Sequence, residues 1–267
     1  LIFIPLILLS QYTNLLEGSV LQVGVGGWEM HKWIILKSVI VLLSWVFGYF
    51  AIAHLPLTIV GPINATRPVM TLVGAMVVFG ERLNVWQWIG VIFAIISLFL
   101  LARSGKKEGI DFKHNKWILF LLLAALMGTC SGLLDKYLMA SPESGGVGMD
   151  RMLAQSWYNI YQCLMMAIVL LIYLYKRKGG TDTQVKFSWK WSILLISIFL
   201  SMADFAYFYA LSLPGAMISI VSMVRRGSVI VSFLCGALLF REKNLKAKAL
   251  DLCLVILGMI FLWIGSY

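Results

Sequence analysis

The chain has 267 residues, of which 61% are hydrophobic and only 13% charged, with a net charge of +10 and a mean hydropathy of +0.90. That composition excludes an ordinary soluble domain. The apolar residues gather in blocks of about twenty, the length that crosses a bilayer core of roughly 30 Å as a helix, and most lysines and arginines lie between the blocks. The positive balance therefore points to a lipid bilayer as partner and not to nucleic acid.

In chain order, "LIFIPLILLSQY" comes first. It is too short to span, and it lacks the basic start and cleavage site of a signal peptide. Because the first residue is Leu, the chain is expected to begin partway through a helix, with an N-terminal part missing. Eight spans follow, predicted at 33–53, 57–80, 85–102, 117–139, 151–175, 189–211, 215–240 and 247–266. The glycine runs "VGVGG" (23–27) and "SGGVG" (144–148) read as flexible loops, since neither has the strand-to-helix context of a phosphate-binding loop. Cys130, Cys163, Cys235 and Cys253 fall inside apolar blocks without metal-ligand spacing and read as small buried hydrophobes. No metal or other cofactor is expected.

The chain repeats itself. "YFAIAHLPLTIVGPINATRPVM" (49–70) parallels "YFYALSLPGAMISIVSMVRRGS" (207–228): each has an aromatic pair, a Leu-Pro entering the next span, and an arginine eleven residues after that proline. "GAMVVFGERL" (74–83) parallels "GALLFREKNL" (236–245) once three extra residues are allowed in the second copy. The second copy shows five spans and the first about three and a half, so the intact protein is expected to have ten, with about eight and a half present here. The expected fold is an all-α integral membrane protein with a first repeat at 1–104, a loop at 105–116 and a second repeat at 117–267. Five is odd, so the copies cross the membrane in opposite directions, an arrangement typical of transporters with a midplane site.

"GERLNVWQWIGVIFAIISLFLL" (80–101) resembles the end of a repeat in the EamA-type branch of the drug/metabolite transporter superfamily, where a Gly-Glu-x-Leu turn precedes a Gly-bearing last helix. The second copy departs from that pattern, with Arg241 where Gly is usual and Asp251 where the last helix's glycine would sit. The resemblance covers nearly the whole chain as two copies. It implies a ten-helix secondary carrier that exports or exchanges amino acids, nucleotide-linked sugars, sugar phosphates or drugs.

Charged groups in apolar spans are the candidate functional residues, because an arginine at bilayer depth costs about 2.5–3.5 kcal/mol on insertion scales. Arg67, Arg225 and Arg226 lie about twelve residues from the ends of their spans. Asn64, Arg67, Thr71 and Gly74 step by three and four residues and share a helix face, as do Ser222, Arg225, Ser228 and Ser232. Polar faces also appear at Ser197, Ser201, Asp204 and Tyr207, and at Gln155, Asn159 and Gln162 beside Trp157, Tyr158 and Tyr161; Asp135 follows Gly128 and Ser131. The expected substrate-binding set is Asn64, Arg67, Thr71, Asn159, Asp204, Tyr207, Ser222, Arg225 and Arg226. Asp204 and Asp135 are candidates for carrying a coupling proton. Surplus positive charge points to an anionic group on the substrate, which arginine can hold bidentately.

The structural alternatives stay open from sequence. The arginines can equally bind backbone carbonyls or aspartates as locks, and small-residue stripes also serve helix packing. Glu81 and Glu242 read as turn formers, and Lys37 and His54 as snorkelling groups near span ends. His31 and His114 are loop residues with no evident partner, and the "NAT" at Asn64 is mid-span, out of reach of glycosylation.

Basic loops after the 85–102, 151–175 and 215–240 spans place that side in the cytoplasm and the C-terminus opposite. Hydrolysis does not fit, since the sequence has no HExxH or GxSxG and its three histidines lie outside the span centres. The expected function is a secondary carrier of a small organic metabolite, anionic or zwitterionic, working by alternating access as a monomer or homodimer in a bacterial inner membrane. The alternative is a non-transporting helper or channel-like subunit, with a membrane-embedded enzyme the weaker rival.

Overall fold

Eight α-helices account for most of the residues described by the computed structural model, namely 3–55, 60, 63–64, 66–80, 82, 84–107, 115–177, 189–213, 218, 221, 224–225 and 245–265. They are α1 (Phe3–Tyr12), α2 (Trp28–His54), α3 (Arg67–Phe79), α4 (Val85–Lys107), α5 (Lys116–Met139), α6 (Arg151–Arg177), α7 (Trp191–Ser212) and α8 (Leu245–Ile264). Among the described residues α2, α5, α6 and α7 are long and apolar enough to cross a bilayer. At 1.5 Å per residue the 27 residues of α2 extend about 40 Å, more than the hydrocarbon core needs. The expected span at 57–80 is represented by α3 with residues 60, 63 and 64 also helical, whereas most of 215–240 lies outside the described residues.

Helix ends follow from local chemistry. Gly80 ends α3 in the left-handed conformation, φ 65°, which glycine adopts without a Cβ penalty. Asn84 and Gln87 then form a reciprocal capping box: Gln87 N donates to Asn84 Oδ1 at 3.0 Å and Asn84 N to Gln87 Oε1 at 3.1 Å. Asn115 caps α5 through the Trp117 amide, and Asp150 caps α6 through the Leu153 amide at 2.7 Å.

Residues 1–42 with 135–214 form one compact unit, and residues 43–134 with 215–267 form another. The boundary falls within α2 and α5, so each unit draws on both halves of the sequence. In the first unit α6 packs against α1 and α7. In the second, α4 and α8 pack along their lengths. Asn84 Nδ2 donates to Gly265 O at 2.6 Å, while Val91 and Met259 share one apolar cluster. Rising numbers on α4 thus meet falling numbers on α8, and the two helices run antiparallel. Phe261 stacks on Trp86 and Phe93 between them.

Along α7, Ile193, Leu195, Ile196, Phe199 and Met202 are all exposed. Exposed apolar side chains in such number on one helix fit lipid as the solvent.

The segment after α5 corrects the reading of "SGGVG" as merely flexible. It folds back on the helix end, with Val147 N donating to Tyr137 O at 3.0 Å, Gly148 N to Ala140 O at 2.7 Å and Met149 N to Leu138 O at 2.8 Å. Gly148 holds φ 65°, and a Cβ on it would lie 2.8 Å from Pro142 Cδ. Gly148→Ala is therefore expected to cost about 1–2 kcal/mol of stability, read as a lower unfolding midpoint in detergent. Gly27→Ala, where a Cβ meets nothing within 4 Å, should leave the midpoint unchanged. Equal midpoints for the two variants would contradict this.

Candidate functional site

The first unit carries a charged centre. Lys37 lies ten residues into α2, counting Trp28 as the first, and Asp135 lies one turn from the end of α5. Both are buried, 3% and 4% exposed, and Lys37 Nζ sits 2.7 Å from Asp135 Oδ1. Tyr207 on α7 donates its hydroxyl to Asp135 Oδ2 at 3.1 Å. The ammonium also lies 4.4 Å from the Tyr158 ring centroid and 4.0 Å from that of Phe208, both within cation–π range. Four helices, α2, α5, α6 and α7, thus contribute to one ion pair.

This overturns the reading of Lys37 as a snorkelling residue. Helix α2 begins at Trp28, not at residue 33, and the Lys37 ammonium is turned into the protein toward Asp135 instead of outward along the helix surface. Buried opposite charges hold each other against desolvation, and removing one partner from such a pair typically costs 3–5 kcal/mol. The same earlier start corrects His31, expected in a loop without a partner. It lies in the first turn of α2, with its Nδ1 2.9 Å from the Tyr161 hydroxyl and its ring edge-on to Trp157 at 4.7 Å.

Helix α6 lines the first unit with polar groups. Gln155, Tyr158, Asn159 and Gln162 share its face by three- and four-residue steps. Gln155 Nε2 donates to Ser201 O on α7 at 3.0 Å, and Asn159 Nδ2 donates to Gln155 O at 2.8 Å. Gln155 Oε1, Ser156 Oγ and both amide atoms of Gln162 are buried without a hydrogen-bond partner among the described residues. Such groups each cost on the order of 1–3 kcal/mol. Asp204 is half-buried, three residues before Tyr207 on α7.

The second unit holds the arginines. Arg67 opens α3 and donates from Nη2 to Ala124 O at 3.3 Å, a carbonyl that also accepts from Ser44 Oγ at 2.8 Å. Its guanidinium lies in the notch left by Gly128, where an added Cβ would come within 2.7 Å of Nη1. Arg67 Nε and Asn64 Oδ1 are buried without a hydrogen-bond partner among the described residues. Thr71 turns its hydroxyl to Arg67 O at 2.9 Å, and Gly74 packs against Leu133. The face carrying Arg67, Thr71 and Gly74 therefore lies on α5. Arg225 is exposed, and its charge bears on Arg67 within the same unit. Ser222 and Arg226 lie outside the described residues. His54, exposed at the end of α2, stacks on Trp117 at 3.6 Å and places Nδ1 2.9 Å from Phe50 O.

Sequence reasoning missed Lys37 as the buried partner of Asp135. The available signal was Glu29 four positions before residue 33: an acidic residue just after Gly27 marks a helix N-terminus, and it forms an i,i+3 ion pair with Lys32.

Residues 1–103 match the model of the EamA-like transporter family, which belongs to the drug/metabolite transporter superfamily. No curated protein matches the chain. Together with the membrane-length helices, this match supports an integral multi-pass membrane protein.

If the Gly128 notch seats Arg67, Gly128→Val should displace the guanidinium and lower stability by about 1–3 kcal/mol. The loss in Gly128→Val with Arg67→Ala should be smaller than the sum of the single losses. Strict additivity of the unfolding free energies would show that the two do not interact.

Proposed function

We propose that this protein is a secondary carrier that exports or exchanges a small organic metabolite with an anionic or zwitterionic group across a bacterial cytoplasmic membrane. Two inverted repeats, 1–104 and 117–267, alternate access to a site near mid-bilayer. The carrying observation is the burial of charged and hydrogen-bonding side chains, Lys37, Asp135, Gln155 and Gln162 among them, on helices long enough to span. Groups of this kind are kept in membrane helices where a solute or ion path needs them. The antiparallel packing of α4 and α8, the closing helices of the two copies, supports the inverted arrangement.

The binding set comprises Asn64, Arg67, Thr71, Asn159, Asp204, Tyr207, Ser222, Arg225 and Arg226, with Asp204 and Asp135 as coupling-proton sites. Arg67 and Arg225 supply positive charge in one unit, and the unpartnered Nε of Arg67 gives a substrate anion a donor. The bond from Arg67 to Ala124 O favours a second reading for that residue, a lock between α3 and α5. The protein works as a monomer or homodimer.

Counterflow of labelled solutes into proteoliposomes separates a carrier from a helper or channel-like subunit. Saturable exchange is expected, reduced at least tenfold in Arg67→Ala and Arg225→Ala proteins that still elute as single folded species. Unchanged exchange in both variants would remove the arginines from the site. Linear, unsaturable flux would identify a channel.

A further inference from the structure

Midway along α5, one turn of helix meets more hydrogen-bond donors than its carbonyls need. In a regular α-helix each carbonyl accepts the N–H four residues on, so Ala124 O serves Gly128 and Ala125 O serves Thr129. Ala124 O also accepts the Ser44 hydroxyl from α2 at 2.8 Å and Arg67 Nη2 from α3 at 3.3 Å. Ala125 O also accepts the Thr129 hydroxyl at 3.0 Å. A carbonyl oxygen has two lone pairs. Three donors therefore compete at Ala124 O, and the competition weakens the intrahelical bond to Gly128. The turn is not at a wet surface: Ala124, Ala125, Ser44 and Thr129 are all buried.

Opening a helix bond inside a bilayer is ordinarily costly, because the freed carbonyl finds no water. A helix that bends there must carry its own replacement donors. At this turn they are in place. When Ala124 O releases Gly128 N–H, Ser44 and Arg67 fill both of its lone pairs. When Ala125 O releases Thr129 N–H, the Thr129 hydroxyl still holds it, and back-bonds of that kind often bend helices. The released N–H groups pass to carbonyls three residues back as the turn tightens to 3₁₀ geometry. The missing Cβ of Gly128 is what lets the guanidinium reach this backbone.

We propose that α5 is hinged at residues 124–129, with Ser44 and Arg67 as the donors that hold the Ala124 carbonyl while the helix is bent. The hinge divides α5 into two stiff segments, 116–123 and 130–139. This goes beyond the carrier reading and does not rest on it. The rival role for the same bonds is a clamp, by which Ser44 and Arg67 fasten α2 and α3 to a rigid α5. The two roles differ in sign. A clamp steadies the turn, so removing it loosens the Gly128 N–H. A hinge donor stabilises the open turn more than the closed one, because only in the open turn is it spared competition from Gly128. Removing it makes opening rarer.

The test is hydrogen–deuterium exchange of single backbone amides, on the full chain in lipid nanodiscs. In the parent protein the amides of Gly128 and Thr129 should have protection factors at least tenfold below those of Leu122 and Leu134, which flank the turn on the same helix. Ser44→Ala should raise the protection of Gly128 at least threefold. Thr129→Val keeps the side-chain shape and loses the hydroxyl, and it carries the same requirement at its own amide should Ser44→Ala fail to fold. Protection at Gly128 and Thr129 equal to that at Leu122 and Leu134 overturns the hinge. So does a folded Ser44→Ala protein in which Gly128 is as protected as in the parent or less, the result that a clamp gives.

Discussion

The constraint on which the structure turns is the cost of holding charge away from water. A bilayer offers a buried ammonium no solvent, so Lys37 is tenable only because Asp135 on another helix meets it at 2.7 Å, Tyr207 completes the carboxylate and two aromatic rings enclose the cation. That requirement ties α2, α5, α6 and α7 to one point. Apolar packing between helices in lipid is weakly directional because the tails are as apolar as leucine. A charge pair, by contrast, works only in one register.

Much of the helical layout was legible because lipid imposes a length on apolar blocks. α5, α6 and α7 lie within two residues of their predicted bounds. The start of α2 was less legible: "GGWEMHKW" is polar enough to pass for a loop, since a helix flanking the hydrocarbon core carries charge on its exposed turns. Five residues of difference changed what Lys37 and His31 could be. Sequence spacing could put Gln155, Asn159 and Gln162 on one face, but it could not tell that Tyr158, between them, faces an ammonium from α2. Partnership between helices far apart in the chain is a tertiary fact.

Arg67 shows the converse: its place in an apolar run was readable, but its surroundings were not. Arg67 rests against Gly128 and donates to the Ala124 carbonyl, so its stripe of small and polar neighbours serves packing against α5 while an unpartnered Nε remains. Packing and binding are not exclusive for a guanidinium with five donors. The two compact units do not follow the order of the chain: each combines residues from its first and second halves.

The most direct test of the central claim is a double-mutant cycle on unfolding free energy in lipid-detergent micelles, with Lys37→Met, Asp135→Leu and the combined variant. Each single change strands one buried charge and should cost about 3–5 kcal/mol, while the double change should cost far less than either. A double variant whose loss equals the sum of the singles would mean that the two charges do not hold each other, and the account built on their pairing would fail.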